Sequence, residues 1–184
     1  MEKYKILWDE PYEYNRAVTL YPIVATVDIP IHGVEKGQIG GFVEDETNLD
    51  QNGSCWIGGS ACVFDGAKVH GNALVTGNAI VAGYTSEVFD DVVVSEDADI
   101  WRGAKIYGKA RISGKAHIGS NAEIFGGAVV TGNARVFVKA KIYGNAIVTD
   151  NATVSGPMSI INFGTVNGEA WIDNGWPTKR KRRG

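Results

Sequence analysis

Residues 108–119 read Gly108-Lys109-Ala110-Arg111-Ile112-Ser113-Gly114-Lys115-Ala116-His117-Ile118-Gly119, which is one six-residue unit written twice. Each unit places Ala two residues before Ile. The spacing continues in both directions, because Ile or Val stands at positions 57, 63, 69, 75 and 81, and then at every sixth position from Val88 to Ile172. All twenty places hold Ile or Val, and Ala precedes fifteen of them by two residues. The chain is therefore an internal repeat with a period of six.

The repeat predicts short β-strands joined by turns. Six is no multiple of the 3.6 residues of a helical turn, and the aliphatic position is β-branched throughout. Gly and Asn recur between the units, as in Gly71-Asn72 and Gly132-Asn133, because these residues adopt positive φ at low cost. We expect an all-β solenoid with Ile and Val on its axis and Ala at its corners.

The order of an aliphatic residue, three variable residues, a small residue and one more resembles the hexapeptide-repeat superfamily. The resemblance covers residues 55–172 and implies a left-handed parallel β-helix, in which three hexads form one triangular coil of 18 residues. Twenty hexads then give about seven coils, each rising about 4.8 Å. The left hand rests on the resemblance alone, since general rules favour right-handed crossovers.

Three regions follow from the limits of the repeat. Residues 1–54 lack it and contain β-rich runs, so we expect an N-terminal β-rich cap over the first coil, whose open end would otherwise be an exposed sheet edge. Residues 55–173 form the β-helix, and residues 174–184 form a basic tail that we expect to be disordered. Residues 40–57 resemble the opening of uncharacterised bacterial and prophage hexapeptide-repeat proteins, a resemblance that implies a fold and no activity.

Charge and composition exclude several classes of protein. The net charge is −3, but without five basic residues near the end of the chain the body has 13 basic and 21 acidic residues, about −8. An acidic body does not fit a nucleic-acid-binding fold, so polyanion contact is expected only at the tail. The alternative is that the tail is a solvated segment that binds nothing. The tail cluster is Lys179, Arg180, Lys181, Arg182 and Arg183. Apolar runs are too short for a membrane span or a signal peptide, and two cysteines make no disulfide scaffold, so we expect a cytoplasmic protein.

Stacked coils turn the sequence into columns on the outer surface. On the first face, one outward column is aromatic and the column beside it alternates in charge. The aromatic column is His70, Phe89, Tyr107, Phe125 and Tyr143, followed by Ile161 beside an inward Ile160. The charged column is Lys68, Glu87, Lys105, Glu123, Lys141 and Ser159. Three hypotheses stay open: the columns hold the coils in register, they form an interface for a subunit or partner, or they bind a carbohydrate or planar ligand.

The other two faces carry weaker signals. The second face is flat, with small hydroxyl residues in one column and mainly apolar residues in the other, which favours subunit contact or coverage by the N-terminal segment over ligand binding. The third face places Asp99, His117 and Arg135 in one column, with Trp101 and Phe137 nearby. Asp99 would orient the His117 imidazole, or the column is an ordinary surface ion ladder. Cys55 is expected to point inward and Cys62 outward as a surface thiol.

Two enzyme classes are the alternatives to a binding protein. Hexapeptide-repeat acyltransferases resemble the chain and use a histidine as base, for which His70 and His117 are candidates, but the long loop that encloses the acyl donor is missing. The γ-class carbonic anhydrases bind zinc with three histidines, and His32, His70 and His117 lack their spacing, so we expect no metal. We favour a non-catalytic solenoid without a cofactor that binds a partner or a host factor, and the resemblance implies a homo-oligomer, with a trimer favoured.

Overall fold

The computed structural model describes residues 2–15 and 17–177 and shows an all-β solenoid of about seven turns. Successive strands of the repeat lie on three different sheets, and the strands of neighbouring coils pair in parallel. The fold predicted from the six-residue repeat, a parallel solenoid with 18 residues per coil, is confirmed.

The first sheet contains six short parallel strands, which form face one. They are β7 (Lys68–Val69), β10 (Glu87–Val88), β13 (Lys105–Ile106), β16 (Glu123–Ile124), β19 (Lys141–Ile142) and β22 (Ile160–Ile161). The second sheet contains seven and forms face two. They are β5 (Trp56–Ile57), β8 (Leu74–Val75), β11 (Val93–Val94), β14 (Arg111–Ile112), β17 (Val129–Val130), β20 (Ile147–Val148) and β23 (Thr165–Val166).

The third sheet, face three, also receives the N-terminal segment. Its coil strands are β6 (Cys62–Phe64), β9 (Ile80–Ala82), β12 (Asp99–Ile100), β15 (His117–Ile118), β18 (Arg135–Phe137), β21 (Thr153–Ser155) and β24 (Trp171–Asp173), with β25 (Trp176–Pro177) antiparallel to β24. Below them lie β1 (Tyr4–Ile6), β2 (Tyr12–Asn15), β3 (Val18–Ala25), a 3-10 turn (Pro30–His32) and β4 (Ile39–Val43). The strands β1 to β3 pair antiparallel, whereas β4 pairs in parallel with β6, so parallel stacking starts at Phe42.

The core is a column of aliphatic side chains along the solenoid axis. Inward residues such as Ile100, Ile118 and Val136 have no exposed surface, and the corner alanines such as Ala116 are equally buried. Parallel register places each inward residue over its equivalent one coil below, as Ile118 lies over Ile100. Burial of a side chain of this size stabilises the fold by about 1.5–3 kcal/mol, and the repeat makes this contribution in every coil.

Two coils contain an extra residue, and both insertions lie at the corner between faces three and one. Val88 pairs with Val69 at a spacing of 19, which confirms the one-residue break in the six-residue spacing between Val81 and Val88. Ile161 pairs with Ile142, also at 19, so the sequence-based assignment of Ile160 as the inward residue is wrong. Ile161 packs against the core, while Ile160 is 53% exposed. The extra residue enters at Gly156-Pro157-Met158, and the chain recovers its register in the shortened turn before Val166.

A buried serine closes each of these two corners. The Ser86 hydroxyl donates to the Ala82 carbonyl at 2.9 Å and accepts from the Gly103 amide at 3.0 Å. The Ser159 hydroxyl donates to the Ser155 carbonyl and accepts from the Gly175 amide in the same arrangement. Both serines are fully buried, so Ser159 occupies the small inward position and not the charged column to which the sequence assigned it.

The N-terminal segment closes the lower end of the solenoid through buried polar contacts. The Lys3 ammonium donates to the Cys55 sulfur at 3.0 Å and to the Asn52 carbonyl at 3.3 Å. The Tyr4 hydroxyl donates to the Leu49 carbonyl at 2.5 Å, and burial raises the pKa of Tyr4 to about 12. These contacts satisfy carbonyl groups at the start of the first coils, where the parallel sheets would otherwise end in free backbone.

Candidate functional site

The aromatic column on face one is a continuous stack of five rings. Neighbouring ring centroids lie 4.8–5.1 Å apart, and neighbouring planes are within 7° of parallel. The stack runs through His70, Phe89, Tyr107, Phe125 and Tyr143. Because each ring is half buried between its neighbours, the outer surface consists mainly of ring edges and forms a flat strip about 19 Å long. The strip ends at Tyr143, since the second slip puts Asn162 and not Ile161 beside it.

The charged column next to the stack is partly neutralised within the chain. The Lys105 ammonium lies 3.2 Å from the Glu87 carboxylate, and the Lys141 ammonium lies 3.1 Å from the Glu123 carboxylate. These side chains are about one third to one half exposed, so each pair contributes little to stability, about 0–1 kcal/mol. The alternation expected from the sequence therefore produces ion pairs between coils and a strip edge with little net charge.

On face three, the structure brings His117 and Asp99 together. The His117 Nδ1 atom lies 3.6 Å from an Asp99 carboxylate oxygen, which is an ion-pair contact but longer than a hydrogen bond. Burial raises the pKa of Asp99, and the neighbouring imidazole opposes this shift. His70 lies on face one, where its ring is stacked on Phe89, so the two candidate catalytic histidines do not share a site.

A depression of about 360 Å³ lies beside His117, where the outward column of face three lacks a side chain. This column reads Phe64, Ala82, Trp101, Gly119 and Phe137 in successive coils. Gly119 forms the floor of the depression, and its lining includes Trp101, Phe137, Arg102 and Arg135. A Cβ atom added at Gly119 would meet Trp101 atoms at 3.5 and 3.9 Å, which are ordinary van der Waals distances. Sequence analysis placed Trp101 and Phe137 on this face but missed the gap between them, although the Trp-Gly-Phe order at 18-residue spacing was visible.

The lower part of face three is covered by the N-terminal hairpin β2–β3. Cys62 points away from the solenoid axis but packs against Leu20, Phe64 and Ala82, and it is 5% exposed. The expectation of a surface thiol was therefore wrong, because the hairpin covers this column. Burial raises the pKa of Cys62 to about 11. Cys55 is buried as expected, and both thiols are free.

Among residues 2–15 and 17–177, no three His, Cys, Asp or Glu side chains are grouped so as to hold a metal ion. Burial lowers the pKa of His32, which lies near Ser54 and Asn72 at the lower end of the solenoid. Within the same residues, no helix has the length and apolar character needed to cross a membrane. The expected polyanion site, residues 179–183, lies outside the described residues.

One comparison with known proteins locates the repeat. The family model for the YdcK β-solenoid repeat matches residues 140–156. This segment contains β19, β20 and β21, which is one full coil with a strand on each face. The chain is a β-solenoid repeat protein. The match covers 17 of 184 residues and thus describes the repeat unit and no activity. No curated protein matches the chain.

Proposed function

We propose that this protein is a non-catalytic solenoid that acts by binding, and that the stacked strip on face one is its contact surface for a second copy of the chain. The observation that carries the proposal is the near-parallel stack of five rings. Since the ring faces are used within the stack, the exposed edges offer no slot for a planar ligand. A flat, partly apolar strip fits another flat protein surface.

The charges beside the strip support a second copy as the partner. Lys105 and Lys141 are each paired within the chain, so two strips can approach without strong repulsion. When two copies are offset by one coil, the alternation also places a Lys of one copy opposite a Glu of the other. The resemblance to left-handed hexapeptide-repeat proteins supports the same proposal, because homotrimers are common there. A host factor bound by a prophage-derived protein is the other partner consistent with the resemblance, and the two free thiols support the reducing cytoplasm as its compartment.

The test places charge in the strip. The double variant Phe125→Lys, Tyr143→Lys is compared by multi-angle light scattering with Ile147→Lys, Thr165→Lys, which places the same charges on exposed positions of face two. We expect the strip variant to fall to monomer mass while it keeps its far-UV circular dichroism, and the control to keep the oligomer mass. A strip variant with the mass of the parent protein, whether monomer or oligomer, overturns the proposal.

Acyl transfer is the alternative, and the contact between His117 and Asp99 is the observation that favours it. A histidine oriented by a carboxylate is a suitable base for an acceptor hydroxyl or amine. Acetyl-coenzyme A is titrated calorimetrically into the parent protein and into His117→Ala and His70→Ala. Saturable micromolar binding that is lost in His117→Ala supports the enzyme, whereas the binding proposal predicts no heat of binding in any of the three proteins.

A further inference from the structure

We propose that the depression over Gly119 is a binding site for a small molecule in which a ring carries a carboxylate or phosphate group. The site is on face three, whereas the strip proposed above as a contact surface is on face one, so the two proposals are independent. Two gaps interrupt the aromatic residues of the same outward column, one at Ala82 and one at Gly119.

The chain fills the lower gap with its own rings. Phe64 and Trp101 are two coils apart, which corresponds to about 9.6 Å of height along the solenoid. Their ring centroids are nevertheless 6.0 Å apart and the rings meet edge to face, so the two rings together close the gap over Ala82. Tyr14 from the hairpin packs on Phe64 at 4.8 Å and completes the cluster.

The upper gap is left open. Trp101 and Phe137 are again two coils apart, and the Trp101 ring is in edge-to-face contact with Phe64, which lies on the side away from Phe137. Two coil spacings of about 4.8 Å separate their backbone positions by about 9.6 Å. Rings that stack in consecutive coils on face one are 4.8 Å apart. The gap over Gly119 thus has the height of one missing ring, and an external ring placed there would lie between Trp101 and Phe137.

The charged groups around the gap select an anion. Arg102 and Arg135 line opposite sides of the depression, and His117 lies below Arg135 in the parallel register. Asp99 is an acidic side chain near this group, and it is already in contact with His117. Two arginines with exposed side chains therefore line the depression in a body whose overall charge is acidic. Guanidinium groups bind carboxylate and phosphate by paired hydrogen bonds, and an adjacent aromatic wall binds the ring that carries them.

The backbone makes a sharp test available. Gly119 does not adopt positive φ, and a Cβ atom fits there without a clash. The variant Gly119→Phe should therefore fold and fill the gap with its own phenyl ring. The matched pair for charge is Arg135→Gln and Arg111→Gln. Both arginines are exposed residues at the same position of a two- or three-residue strand, but Arg111 lies on face two, away from the depression.

Phenyl phosphate and benzoate are the probes, with phenol and inorganic phosphate as controls that each lack one half of the ligand. Protein NMR shifts are followed during titration to about 10 mM. We expect phenyl phosphate to bind with a dissociation constant of about 0.1–1 mM, and at least one control to be about tenfold weaker. Arg135→Gln should weaken binding about tenfold or more, Gly119→Phe should abolish it at an unchanged or higher melting temperature, and Arg111→Gln should have no effect.

Three results would overturn the inference. The first is the absence of saturable shifts around Gly119 with either ring-bearing acid. The second is equal affinity in Arg135→Gln and Arg111→Gln. The third is full binding by a folded Gly119→Phe protein, which would place the ligand elsewhere.

Discussion

Replacing Ala116 with Leu tests the packing of the solenoid corner. Ala116 has no exposed surface, and the same corner position one coil below and one coil above is filled by Ala98 and Ala134, which are equally buried. Coils are about 4.8 Å apart, so neighbouring coils leave no space for the three extra carbon atoms of Leu. Overpacking of this kind costs about 1–3 kcal/mol. For a chain of this size, that free energy corresponds to a fall in melting temperature of about 2–12 °C.

The control is Lys115→Leu, which introduces the same side chain one residue earlier, at an exposed position. We expect this variant to melt within about 1–2 °C of the parent protein, because surface changes are usually within about 0.5 kcal/mol. The assay is thermal unfolding followed by circular dichroism at several scan rates. If Ala116→Leu has the same melting temperature as the parent protein, the corner is not close-packed and the assignment of Ala to an inward position is refuted.

Three further predictions concern titration, a buried hydroxyl and the tail. The pKa of Cys62 is raised from about 9 to about 11, so the stabilisation that its neutral thiol provides is present below pH 9 and is lost as the pH rises to 11. Urea unfolding of the parent protein at several pH values should show this loss of stability, and Cys62→Ala should show a smaller loss. Ser86→Ala leaves a buried carbonyl and a buried amide without their partner and should cost about 2–4 kcal/mol in urea unfolding, whereas Ser60→Ala, at an exposed position, should be neutral. Deletion of residues 179–184 should abolish any binding of duplex DNA and leave the melting temperature unchanged. For the parent protein with five phosphate contacts, the slope of log affinity against log salt concentration should be about −4.5.

The six-residue period was sufficient to predict the coils, because burial on the axis requires Ile or Val at one position and the corner requires a small residue at another. The same rule failed at Ile160 and Ile161. Both residues are aliphatic, so the inward position was filled under either register, and the pattern carried no signal of the extra residue. The deciding feature is Ser159, which takes the corner position in the same way as Ser86.

The site residues divide in a similar way. Stacking of Phe125 on Tyr143 follows directly from 18-residue spacing, and the structure shows the two rings in contact. The burial of Cys62 was not predictable, because it depends on the hairpin β2–β3, which lies outside the repeat and covers that face by tertiary packing. The depression at Gly119 is an intermediate case. Its walls were identified from the sequence, but the contact between Trp101 and Phe64 below it depends on side-chain packing that periodicity does not describe.

The two closed corners at Ser86 and Ser159 have a consequence for how such a chain can change. Both corners admit one more residue than the others and return the strands on either side to the same register with the same pair of hydrogen bonds. The lengthened turn points away from the axis, where Tyr84 and Met158 are 80% and 69% exposed. With a serine at the corner, the turn can thus change in length while the coils on either side keep their alignment. Longer loops can be grafted at these two positions, four coils apart on one edge of the solenoid, without altering any inward residue.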